Sequence, residues 1–182
     1  RANQAHKSAE YLKLNPNGLI PVIVIDDLVL YETAAILLHL ADTHPDAGLA
    51  PALGTPARAE LYKWLFWLSN TLQATLIHYF YPERMVTAGN TAGAAEVKAA
   101  AEARVGVLLD QMDTLLADGR PWFLGAAYSV ADPLAFMLCR WTRGFAHPAR
   151  ERAHLRAWLE RVLARPATAA TFAREGLQAP WF

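Results

Sequence analysis

Residues 20–31 carry two short runs of strand formers, Ile20, Val22, Ile23, Val24 and Ile25, then Leu28, Val29, Leu30 and Tyr31, split by Asp26-Asp27. Two such runs around a two-residue acidic turn predict a β-hairpin, because carboxylates bond their own backbone in tight turns. In the next segment, residues 33–43, Ile36, Leu37, Leu40 and Ala41 stand at helical spacing, and His44-Pro45 ends it. Pro45, Gly48, Pro51, Gly54 and Pro56 mark a linker. Everything after it has helical periodicity. One long helix is expected through Leu61, Trp64, Leu65, Leu68, Leu72, Leu76 and Tyr79, stopping near Pro82. A second runs through Val97, Ala101, Val105, Leu108, Met112 and Leu115 to Gly119. Leu134, Leu138 and Trp141 sit on a third, Leu155, Trp158, Leu159 and Val162 on a fourth that Pro166 ends, and a short fifth covers residues 167–174. Residues 87–95, rich in Gly, Ala and Thr, are expected to form a loop.

The pattern is an α/β piece followed by an all-α one. The expected divisions are residues 1–45, a linker at 46–56 and a helical domain at 57–182. A hairpin and one helix are too little for a stable sheet layer, so partner strands are expected from elsewhere.

Composition excludes several functions. Seventeen basic residues balance seventeen acidic ones, which leaves no global field to hold a nucleic acid or an anionic membrane. At 54% hydrophobic and 19% charged the chain is globular in character. No apolar run reaches the roughly 18 residues that a membrane span needs. The polar start does not resemble a signal peptide. The chain does not open with Met, so Arg1 is not expected to be the start of the gene product. A single cysteine, Cys139, forbids an intrachain disulfide and suits a reducing, cytoplasmic compartment; its apolar surroundings predict a buried, inert thiol. Without CxxC or clustered His and Cys, no metal site is expected.

Three short motifs suggest chemistry. Ile20-Pro21 taken alone reads first as a trans proline opening an edge strand. The other reading is a cis bond that turns the Ile20 amide and carbonyl outward, where an extended peptide can pair with them. In Glu32-Thr33, Thr33 is expected to cap the following helix. A helix N-terminus with a hydroxyl suits a carboxylate, and Glu32 suits an ammonium, so the pair fits both ends of an α-amino acid; a plain helix cap is the commoner use of such a pair. Ser129-Val130-Ala131-Asp132 is a capping box with Asp in place of Glu, and its role is structural. His78, Tyr79, Phe80 and Tyr81 crowd the end of the long helix, where core packing competes with a pocket-wall role.

Taken together, these residues resemble the cytosolic glutathione transferase superfamily. Leu14-Asn15-Pro16-Asn17-Gly18-Leu19-Ile20-Pro21-Val22 followed by Glu32-Thr33-Ala34-Ala35-Ile36 is similar to one family signature. Phe123-Leu124-Gly125 followed by Tyr128-Ser129-Val130-Ala131-Asp132 is similar to another, and the two occur in the family's order. Bacterial beta- or theta-like classes look nearest. The resemblance implies a thioredoxin-like N-terminal domain, here truncated, followed by an all-helical C-terminal domain. It implies that Ile20 pairs with the cysteinyl part of glutathione, that Pro21 is a cis proline, and that Glu32 and Thr33 hold the γ-glutamyl end. It implies that His6 meets the glycyl carboxylate and that Gln73 supplies a polar contact from the first long helix. An apolar electrophile would occupy a pocket between the domains, walled by Tyr79, Tyr81, Arg84 and Trp122. No metal is implied, and a homodimer is.

In the family, the Tyr, Ser or Cys that supports the glutathione sulfur lies on a first strand and helix. The resemblance puts these ahead of Arg1, so the chain is expected to lack them and no catalytic residue is assigned in it. By position the sulfur contact is neither Tyr11 nor Tyr31. Three activities stay open: transfer of glutathione to an electrophile, a non-catalytic binding or assembly module, and a thiol-disulfide or dehalogenating enzyme of the same fold.

Overall fold

The computed structural model describes residues 4–182. The chain divides into two compact units between Ala50 and Pro51.

The first unit opens with a short helix, α1 (Ala9–Leu14). Ser8 caps it, accepting from the Tyr11 amide at 3.2 Å. Strands β1 (Val22–Ile25) and β2 (Leu28–Tyr31) follow as an antiparallel hairpin. Its register pairs Val22 with Tyr31 and Ile25 with Leu28, so Asp26-Asp27 is the whole turn. Asp26 takes φ 50°, a conformation that Asp tolerates better than most residues. Among the described residues the sheet has these two strands only. Helix α2 (Thr33–Thr43) then packs Ile36 and Ala41 inward.

The second unit is helical. Helix α3 (Pro56–Trp67) starts with Pro56 in its first turn and Thr55 as its cap, and continues through a wider π-type stretch, Leu68–Gln73, into α4 (Ala74–Phe80). Leu61, Leu65, Leu68, Leu72 and Leu76 form its buried stripe. Helix α5 (Thr91–Leu116) begins inside the segment expected to be a loop. The correction has a local cause: Asn90 accepts from the Gly93 amide at 2.9 Å, and the alanines beyond favour helix once it is capped. Helices α6 (Ala131–Trp141), α7 (Ala153–Leu163) and α8 (Pro166–Arg174) complete the unit.

Asp132 lies at the centre of this packing and is fully buried. Its carboxylate accepts from the Ser129 amide at 2.8 Å, which is the reciprocal half of the expected capping box. It also accepts from the Phe123 amide at 2.8 Å and the Trp158 indole at 3.0 Å. One side chain thus ties the Phe123 loop, the start of α6 and the middle of α7. Burial pushes its carboxyl above the usual range despite these donors and a fourth, the Ser129 hydroxyl at 3.3 Å. Cys139 is buried and free, and burial pushes its thiol up, which suits an inert packing group. Among the described residues, no helix is long and apolar enough to cross a membrane and no cluster of side chains suits a metal ion.

Candidate functional site

The hairpin unit gathers five of the expected glutathione contacts. The Ile20–Pro21 bond is cis, not the trans bond that the dipeptide alone favours. Ile20 is 55% exposed, and among the described residues its amide and carbonyl enter no hydrogen bond. Unmade backbone bonds at an exposed position are available to an extended peptide.

Glu32, not Thr33, holds the start of α2. The first bond of α2 runs from the Ile36 amide to the Glu32 carbonyl at 2.9 Å, so Glu32 holds the capping position and Thr33 is the first helical residue. The Glu32 side chain makes no capping bond. It is exposed, and its backbone sits at φ 74° and ψ 111°. That conformation is costly for a residue with a Cβ, and such strain gathers at functional sites. Its effect is to leave the carboxylate unspent while the Thr33 amide and hydroxyl stand at the positive end of α2.

His6 is half-buried next to Lys7. No sequence signal singles out Lys7. A Cβ on Gly18 would lie 2.8 Å from Lys7 Nζ, so this ammonium is folded against the loop that leads to Ile20. Gly18 has φ +58° and little free space, which explains the glycine after Asn15-Pro16-Asn17. Only the three-dimensional closure of residues 6–18 exposes this approach; no spacing rule signals it.

The remaining expected residues belong to the helical unit. Gln73 ends the π-type stretch and is half-buried. Tyr79 stacks on Phe145 with ring centres 4.0 Å apart and touches Phe80, while Lys98 lies over its face at 4.9 Å. Burial, then the negative Glu102, push its phenol up, so it stays protonated at neutral pH. Tyr81 lies under the Arg84 guanidinium at 4.0 Å. Trp122 is held in a different cluster, edge-on to Tyr128 at 4.9 Å with Arg165 over both rings. The structure therefore groups Tyr79 with Phe80 and Phe145, pairs Tyr81 with Arg84, and sets Trp122 among other partners.

Comparison with known proteins decides the family. Residues 1–43 match the glutathione S-transferase N-terminal domain, and residues 68–166 match the glutathione S-transferase C-terminal domain. The latter match spans more than half of the chain. The chain belongs to the glutathione S-transferase family. It is 32% identical to glutathione S-transferase GST-4.5 of Xanthomonas campestris over 173 residues, which are 94% of this chain and 82% of that protein. It is 33% identical over 172 residues to a disulfide-bond oxidoreductase, YfcG of Escherichia coli, covering 87% of this chain and 74% of the other. Among solved structures, a sphingomonad glutathione S-transferase complexed with glutathione superposes with a TM-score of 0.80 at 32% identity, over 94% of this chain and 81% of that one. The hairpin unit and the helical unit are thus the thioredoxin-like and all-helical domains of a glutathione S-transferase.

Proposed function

We propose that the protein binds glutathione on its hairpin unit and transfers it, as the thiolate, to an apolar electrophile. The observation that carries this reading is the strained, uncapped Glu32 ahead of α2, with the open Ile20 backbone in the same unit. Glutathione is an extended peptide with an ammonium and two carboxylates. In this reading Ile20, beside the cis Pro21, pairs with the cysteinyl backbone. Glu32 takes the ammonium, and the Thr33 amide and hydroxyl take the γ-glutamyl carboxylate. His6 and Lys7 take the glycyl carboxylate, and Gln73 adds a polar contact. Tyr79, Tyr81, Arg84 and Trp122 are proposed for the electrophile.

The chemistry is a nucleophilic substitution. The sulfur must be a thiolate, because the thiol attacks poorly. It bonds to the electrophilic carbon, the leaving group departs with the bonding pair, and the thiol proton goes to solvent. The protein acts in the cytoplasm as a two-fold dimer, a reading supported by Phe66 of α3, a large apolar side chain that is 65% exposed.

The disulfide-bond oxidoreductase among the relatives favours a second reading, glutathione-dependent disulfide reduction. Parallel assays separate the two. The transferase reading expects glutathione to release halide from an activated aryl halide at a rate that saturates with glutathione. Saturable disulfide reduction without halide release would replace it with the second reading. Glutathione binding with neither activity would leave a binding module.

A further inference from the structure

We propose that Tyr11 is a positioning residue, whose hydroxyl holds the Leu19–Ile20 peptide so that the Ile20 amide faces glutathione. The proposal rests on the reading of Ile20 as a glutathione contact. Tyr11 lies on α1, outside the signature residues, and no step of the proposed reaction uses it.

The Leu19 carbonyl accepts two side-chain hydrogen bonds. Tyr11 Oη donates at 2.7 Å and Asn15 Nδ2 donates at 2.9 Å. Asn15 is buried, and its Oδ1 accepts from the Asn17 amide at 3.0 Å, which fixes the orientation of its amide group. A carbonyl oxygen has two acceptor sites, so both are occupied. The Leu19–Ile20 peptide is planar, and it is absent from the cis bonds, so the Ile20 N–H points opposite to the Leu19 C=O. Two donors that grip the oxygen at one edge of this plane aim the N–H from the opposite edge. The backbone of Ile20 is otherwise unbonded among the described residues and more than half exposed. Without the grip, its peptide plane would rock, and part of the binding energy would go into ordering it.

The same bond settles what the Tyr11 hydroxyl does not do. Its one proton is committed to a carbonyl, so it has none to offer a sulfur.

The test is Tyr11→Phe in the full-length protein, which removes one exposed oxygen and keeps the ring. Losing one of two neutral hydrogen bonds should raise the glutathione Kd about threefold. KM for glutathione should rise by the same factor, with kcat at saturation unchanged and Tm lowered by no more than about 4 °C. Asn15→Asp, which loses the Nδ2 donor but keeps Oδ1, should raise Kd further. A readout free of glutathione accompanies these: the NMR order parameter of the Ile20 amide should fall in Tyr11→Phe. Unchanged Kd would overturn the proposal, as would a parallel fall of kcat and Tm, which marks a merely structural tyrosine. An order parameter equal to wild type would overturn it too. If the wild-type protein itself binds no glutathione, the proposed function fails first, and the Ile20 order parameter alone still judges whether Tyr11 holds the peptide.

Discussion

The hairpin unit and the helical unit are held in different ways. Among the described residues, the hairpin unit buries only Ile36 and Ala41 as apolar core, whereas the helical unit buries a continuous set from Leu61 to Val162. Leu12, Leu14, Leu19, Ile20, Val24, Ile25, Leu28 and Val29 are all exposed in the first. Its turns and loops are shaped by local contacts: the Ser8 cap, the Asn15 and Tyr11 bonds to Leu19, the hairpin ladder and the fold of Lys7 over Gly18. The lesson is a division of labour. Burial fixes the helical scaffold, and around Ile20 hydrogen bonds and backbone conformation set the directions of the N–H and C=O groups.

A matched pair of leucine truncations tests that division with the largest effect. Leu72→Ala removes a fully buried side chain and should cost about 3 kcal/mol of unfolding free energy. In a protein of residues 1–182, Leu28→Ala, at a position 41% exposed, should cost under about 1 kcal/mol. Equal costs in chemical denaturation would erase the contrast.

Glu32→Gly sharpens it from the functional side. Glycine adopts φ 74° freely, so this substitution should raise stability by about 1 kcal/mol while weakening glutathione binding. A loss of stability would show that the Glu32 side chain supports the fold.

The smallest effect belongs to Asp113, on α5 of the helical unit. Its Oδ1 accepts from the Leu155 amide at 2.7 Å and its Oδ2 faces His154 at 3.1 Å. Desolvation raises its pKa, but the bonds from Leu155 and His154 outweigh that, and the net shift is downward. A carboxyl whose folded pKa is depressed adds stability above its unfolded value, roughly pH 4. That contribution is lost as pH falls through the folded value. Wild type should therefore exceed Asp113→Asn by under about 1 kcal/mol at pH 7, a gap that closes on acidification below roughly pH 4. A gap independent of pH would assign the effect to the Leu155 hydrogen bond alone.

How far the sequence reveals this molecule follows the same contrast. Periodicity locates the leucine stripe of residues 61–76 and the hairpin with its Asp26-Asp27 turn, because both depend on residues close in the chain. It misses α1, although Ser8 three residues before Tyr11 is the capping signal, and it starts α5 too late by reading small residues as loop. It puts the helix cap on Thr33, since hydroxyls usually cap; the left-handed turn at Glu32 moves the helix start by one residue, and no composition rule shows that turn. The Tyr11 and Asn15 grip on Leu19 spans eight and four residues through a bend and has no period to detect. The contacts of Trp122 with Tyr128 and Arg165 likewise come from chain folding and have no period to detect.

The most direct test of the account is a calorimetric titration of glutathione into the full-length protein and its Glu32→Ala variant. Glu32 is exposed and its side chain makes no capping bond, so the variant should keep the wild-type Tm. Losing a charge-assisted contact to the ammonium should weaken binding about tenfold or more. Saturable binding by wild type with that loss in the variant is the predicted result. Equal affinities would remove Glu32 from the site, and no binding by wild type would contradict the account as a whole.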